Sequence, residues 1–220
     1  MTGLGHVEPG GPTLTVDLGG GASVAKLSVG SMDNNAYLLR VGDGAVLIDA
    51  AADPGRLLTE IGNRPLQTII TTHRHGDHWQ ALADVAAATR AQLLAGRPDV
   101  DAIATGAWVE DLTGVWDGDQ VAVGGDALEV IGLVGHTPGS IALAYTDRSA
   151  TVHLFTGDSL FPGGPGRTTS GEDFRTLMDD LEEKVFARFD DDTVVHPGHG
   201  DDTTLGVERP HLKEWRIRGW

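Results

Sequence analysis

The sequence predicts an α/β fold, a four-layer αββα sandwich, on three observations. Apolar runs of strand length, bounded by Gly, Asp and Asn turn signals, alternate with helical patterns along the chain. Strands followed by helix, strand and helix occur in each half, an order that packs two sheets together with helices outside. No low-complexity segment or linker divides the 220 residues, so one domain over residues 23–220 is expected.

The elements follow in order. Residues 1–22, "MTGLGHVEPGGPTLTVDLGGGA", are expected to be a flexible Gly-rich lead-in. "ASVAKLSVG", "AYLLRVG" and "GAVLIDA" read as strands. "DPGRLLTEIG" reads as a helix with Asp53 as N-cap and Pro54 at its first position. "LQTIITT" is a short apolar strand, "WQALADVAAATR" has helical composition, and "AQLLAG" is another strand. In the second half, "DQVAVGGDALEVIGLV" forms a hairpin about Gly124-Gly125, followed by the strands "SIALAYTD" and "TVHLFTGD". "GEDFRTLMDDLEEKVFARF" is the longest amphipathic helix, with Phe174, Leu177, Leu181, Val185 and Phe189 at helical spacing. "TVVHPGHG" is a last strand that ends in a loop.

Composition removes several classes of function. The chain has no cysteine, which excludes disulfides, thiolate nucleophiles and Cys-based metal sites. A formal net charge of −16 argues against nucleic acid, whose phosphates are bound by clustered Lys and Arg. No run approaches the roughly 18 apolar residues of a membrane span, and the N-terminus lacks the charge and apolar pattern of a signal peptide. A cytoplasmic location and a small-molecule substrate are therefore the expectation.

The chemistry concentrates in "TTHRHGDHW", where His73, His75, Asp77 and His78 fall within six positions at a strand-to-helix junction. Imidazole and carboxylate suit zinc and comparable first-row ions. Four such groups cannot all reach one ion, because adjacent Asp77 and His78 do not turn easily toward the pole chosen by His73 and His75. Two neighbouring ions are implied, each needing ligands from elsewhere. Three Gly-marked loops offer them: His136 in "VGHTPGS", Asp158 in "FTGDSLF" and His199 in "HPGHGDD".

With "THRHGDH", "GHTPGS", "TGDSLF" and "PGHG" in this order, the chain resembles the metallo-β-lactamase-fold hydrolases over roughly residues 24–210. The resemblance implies that His73, His75 and His136 bind one metal, that Asp77, His78 and His199 bind the second, and that Asp158 bridges them. Two divalent ions are implied, zinc foremost, with iron or manganese as substitutes. The strand "VLIDA" resembles an early family motif and makes Asp49 a residue that orders the ligand loop. His196 is expected to pack at its strand end or to support a ligand.

Asp158 narrows the branch, since the lactamases of the fold generally carry Cys or Ser in that region. "GRTTSGEDF" and "PGHGDDTTLGVER" resemble the glyoxalase II (hydroxyacylglutathione hydrolase) group, without its C-terminal helical domain. The segment after Gly200 is too short for that domain and is expected to be a solvated amphipathic tail. The resemblance implies hydrolysis of an S-acyl thiol, whose carrier is glutathione, mycothiol or coenzyme A. A hydroxide shared by two metals, with a water pKa lowered to about 7, is the implied nucleophile, and Asp77 orients it. Arg167 is a candidate for substrate-anion binding, equally for a structural salt bridge, and Trp79 for the pocket roof, equally for packing on its own helix. His153 is expected to be a satisfied polar residue of its sheet. The alternatives within the same fold are a lactone or ester hydrolase, and a persulfide dioxygenase with one iron on His73, His136 and Asp158.

Overall fold

Seven strands build the first sheet, and the computed structural model describes them within residues 5–219. β1 (Leu14–Gly19), β2 (Ala22–Val29), β3 (Asn34–Val41) and β4 (Gly44–Ile48) form an antiparallel meander. After α1 (Pro54–Ile61), β5 (Thr68–Thr71) pairs parallel to β4. α2 (Leu82–Thr89) leads to β6 (Gln92–Gly96), and α3 (Val100–Ala107) to β7 (Leu112–Val115), again in parallel. The Asp53 carboxylate caps α1 by accepting the Arg56 N–H, with Pro54 at the first position.

The second sheet has the order β15-β14-β11-β10-β9-β8. β8 (Gln120–Val123) and β9 (Asp126–Gly132) are the hairpin about Gly124-Gly125, followed by β10 (Ile141–Thr146) and β11 (Val152–Gly157), all antiparallel. A small hairpin of β12 (Leu160–Phe161) and β13 (Gly164–Pro165) precedes α4 (Gly171–Asp180), which continues as one π-helical segment, Leu181–Phe186. β14 (Val194–Pro197) then lies parallel to β11, and β15 (Thr203–Thr204), α5 (Leu205–Glu208) and α6 (Leu212–Arg218) close the chain.

Alternation along the strands makes the four layers. Leu39, Val46 and Ile70 of the first sheet meet Val130, Leu143 and Phe155 of the second. The opposite faces carry Leu38, Leu47 and Ile69 against Leu57, Leu82 and Ile103 of α1, α2 and α3. On the far side, Leu154 and Val195 pack on Phe174, Leu177 and Val185. Each such fully buried side chain contributes about 1.5–3 kcal/mol.

Two expectations are corrected. Residues 14–19 of the supposed lead-in are a strand, because Leu18 reaches the core between the sheets and the glycines at 19–21 turn the chain onto β2. The tail is not merely solvated: Trp215 of α6 is 1% exposed and its ring lies edge-on to Phe186, 6.1 Å between centroids. Phe189, expected on the helix, lies just past the π-helical segment and is only partly buried. Among the described residues, no helix is long and apolar enough to cross a membrane.

Candidate metal centre

The parallel pairs β4–β5 and β11–β14 end at the same edge of the sandwich, and their C-terminal loops carry the candidate ligands. His73 to His78 follow β5, His136 lies between β9 and β10, Asp158 follows β11 directly, and His199 follows β14. Gly76–His78 form one 3₁₀ turn, so His73 and His75 converge through a loop rather than through the pleat of a strand.

Two triads result. His73 Nε2, His75 Nδ1 and His136 Nε2 are 3.1, 2.9 and 3.2 Å apart. His199 Nε2 lies 3.2 Å from His78 Nε2 and 3.3 Å from Asp77 Oδ2, and the last two are 3.6 Å apart. Donor atoms around one tetrahedral ion at zinc–nitrogen distances are separated by about 3.3 Å. Asp158 stands between the triads: its Oδ1 is 3.4 Å from His78 Nε2, and its Oδ2 is 3.6 Å from His136 Nε2 and 3.5 Å from His199 Nε2. Asp158 Oδ1 is buried without a hydrogen-bond partner, as fits a cation-facing oxygen. The donor set and this orphaned oxygen fit divalent metal ions.

The rings are oriented from behind. His78 Nδ1–H donates to Asp49 Oδ2 at 2.8 Å, His136 Nδ1–H to the Arg167 carbonyl at 2.6 Å, and His199 Nδ1–H to the Met32 carbonyl at 2.8 Å. Thr72 Oγ1 donates to Asp49 Oδ2, leaving its oxygen to accept from His73 Nδ1 at 3.1 Å. In each case the hydrogen bond fixes the tautomer and turns Nε2 toward the centre. Asp49 is 2% exposed and also accepts the Thr72 N–H, so one carboxylate positions a ring in each triad. Asn34 Nδ2 donates to Asp77 Oδ2 at 2.9 Å. Gly198 is required by proximity: a Cβ there would lie 2.3 Å from Asp158 Oδ1 and 2.6 Å from the His78 ring.

The electrostatics differ across the centre. Burial and then His78 hold His73 well below the ordinary imidazole range, and burial with His136 lowers His75. Burial opposes charge on His78 as well, yet Asp49 and Asp158 raise it to about 10. His199 is likewise raised, against burial, by Asp158. Burial would raise Asp158, but the nearby His199 and His78 rings keep it well below the usual carboxylate range.

The remaining candidates divide. Arg167 lines an open cavity of about 410 Å³ with His75, His136, Thr168 and Thr169. Among the described residues no carboxylate pairs with Arg167. Trp79 does not roof this space: its indole N–H donates to the Arg74 carbonyl and its ring packs on Gly106 of α3. His196 touches no ligand; it stacks on Phe155 and His153 within the second sheet. Thr72, Asn34 and the Met32 carbonyl escaped sequence reasoning. Only the "NN" at the start of β3 hinted at one of them.

Seven candidate ligand groups thus stand in two triads with a carboxylate between them. The metallo-beta-lactamase superfamily model matches residues 29–199. The chain belongs to the metallo-beta-lactamase superfamily. Within it, curated relatives 29–39% identical are named hydroxyacylglutathione hydrolase. One from Anaeromyxobacter dehalogenans (strain 2CP-C) is 37% identical over 177 residues, 76% of this chain and 61% of its own length. The chain thus spans less than two thirds of that relative. Among solved structures, TTHA1623 in a di-iron-bound form is 31% identical with a TM-score of 0.67, covering 84% of this chain and 96% of that one. ETHE1 from Myxococcus xanthus is 26% identical with a TM-score of 0.68, covering 85% and 81%. The superfamily fold and a His/Asp metal-binding cluster are therefore established for this chain.

Proposed function

We propose that this protein is a dinuclear metal hydrolase that cleaves the thioester of a low-molecular-weight thiol, as the hydroxyacylglutathione hydrolase relatives suggest. The observation that carries the reading is the Asp158 carboxylate, whose Oδ2 lies between the triads, 3.6 Å from His136 Nε2 and 3.5 Å from His199 Nε2, while its Oδ1 lies 3.4 Å from His78 Nε2. His73, His75 and His136 would hold one ion, Asp77, His78 and His199 the other, and Asp158 both. Zinc is the ion we infer, and the same N/O donor set accepts iron or manganese. Two ions so held would lower the pKa of a bound water to about 7 and polarise a carbonyl oxygen.

The chain's own residues supply orientation. Asp77, fixed by Asn34, presents Oδ2 beside His199 Nε2 and can hold the attacking water by its second proton. The thiolate leaving group, with a pKa near 8.5, departs without a strong acid. Arg167, beside His75 and His136, is placed to meet a substrate carboxylate. The formal net charge of −16 leaves nucleic acid outside this reading.

Metal analysis of the purified protein beside a panel of S-acyl thiols tests it. Two equivalents of metal with hydrolysis of an S-lactoyl thiol support the proposal. One equivalent of iron with oxygen uptake on a persulfide sinks it in favour of the dioxygenase alternative.

A further inference from the structure

Position 26 lies in the middle of β2, opposite Tyr37 of β3. Alternation along the strand places its side chain on the face of Val24, which packs between the two sheets. An apolar residue is the ordinary occupant of such a place, yet the residue is Lys26, 0% exposed. An ammonium taken wholly out of water is costly unless it is paired and its protons are all used.

All three protons are used. Lys26 Nζ donates to Asp202 Oδ1 at 2.8 Å, to the Gly200 carbonyl at 2.7 Å and to the Gly5 carbonyl at 2.7 Å. The Asp202 side chain is 3% exposed, and its second oxygen accepts from His196 Nδ1 at 3.0 Å. Burial would raise this carboxyl, yet His196 and then Lys26 hold it below the ordinary carboxylate range.

These contacts close one loop. His196 and Asp202 meet at its base, and His199 stands at its apex. The backbone between them is gripped from the first sheet. Asn35 Nδ2 donates to the Pro197 and Gly200 carbonyls at 3.0 Å each, Tyr37 Oη to the Pro197 carbonyl at 2.7 Å, and the Asn35 N–H to the Gly198 carbonyl at 2.8 Å. Lys26 adds what these do not: one ammonium ties Gly200, directly after the apex, to Asp202 at the base. Among the described residues no hydrogen bond joins Lys26 or Asp202 to His73, His75 or His136. The clamp therefore bears on one triad of the two.

We propose that Lys26 and Asp202 are positioning residues for the second metal ion: their buried pair fixes the loop whose apex, His199, completes the triad with Asp77 and His78. The inference rests on His199 being a ligand in the two-metal reading, and it is independent of the reaction catalysed. A loop closed at its base holds the His199 ring in place before the ion arrives, so less ordering accompanies binding. The triad of His73, His75 and His136 gains nothing from the clamp.

Zinc competition with a chromophoric chelator, beside thermal melts of the metal-free protein, tests it in the wild type, His199→Ala, Lys26→Met and Lys26→Met/Asp202→Asn. Lys26→Met alone leaves Asp202 buried without its ammonium, which endangers the fold. The double variant removes both charges, while the Gly200 carbonyl still loses its donor. His199→Ala identifies the ion that depends on the loop. That ion is expected to bind about 10-fold more weakly in the double variant than in the wild type, with the other ion unchanged. Wild-type affinity for both ions, with only the metal-free melt lowered, makes the clamp purely structural and overturns the inference. Equal weakening of both ions overturns it too. Retention of both ions in His199→Ala overturns the two-metal reading, and this inference with it.

Discussion

The triad of His73, His75 and His136 consists of imidazoles alone, whereas that of Asp77, His78 and His199 includes a carboxylate and is flanked by Asp49 and Asp158. Burial empties His73 and His75 of protons. Carboxylates favour protons on His78 and His199, although burial opposes it. An ion entering the first triad meets neutral lone pairs, while one entering the second must displace protons. Two neighbouring sites in one cleft therefore differ in their sensitivity to acid, and the difference comes from where the acidic side chains stand.

The largest effect breaks the comparison altogether. Asp158→Ala removes the group shared by the triads; both ions are expected to be lost, and thioester hydrolysis to fall by about 10²–10³-fold or more. Metal analysis that finds one ion retained would assign Asp158 to a single triad. His136→Ala and His199→Ala separate the sites, each costing one ion by the same assay; if either variant loses both, the triads are not independent. Asp49→Asn places an N–H donor against His78 Nδ1–H and is expected to weaken metal affinity about 10–100-fold, read by competition with a chromophoric chelator. Unchanged affinity would mean that the ring is held by its packing alone. Smallest is the acid response: as pH falls, protons return first to His78 and His199, so the second triad is expected to release its ion at a higher pH than the first. Simultaneous release across a pH series would show that Asp158 couples the two sites into one unit.

The ligands were legible because each stands in a short run whose spacing is itself the signal. His73, His75, Asp77 and His78 share six positions, and His136, Asp158 and His199 each follow or precede a glycine that lets the loop turn. What holds the ligands was not legible, because the holding residues are distant in sequence. Asn34 meets Asp77 across 43 positions, and the Met32 carbonyl meets His199 across 167. Trp79 misled because its place beside His78 says nothing of which way its ring turns; the space above Gly106 decides that. The fold class followed from strand and helix periodicity, but α6 is seven residues long, and its one buried anchor, Trp215, gives no period to read.

Neither sheet owns a complete triad. The loops of the first sheet supply His73, His75, Asp77 and His78, those of the second supply His136, Asp158 and His199, and Lys26, Asn35 and Tyr37 of the first sheet grip the Pro197 and Gly200 carbonyls of the second. A chain with only one sheet formed has no three-ligand site of either kind. An ion held by either triad would therefore tie the two halves of the chain together, because each triad draws on the loops of both sheets.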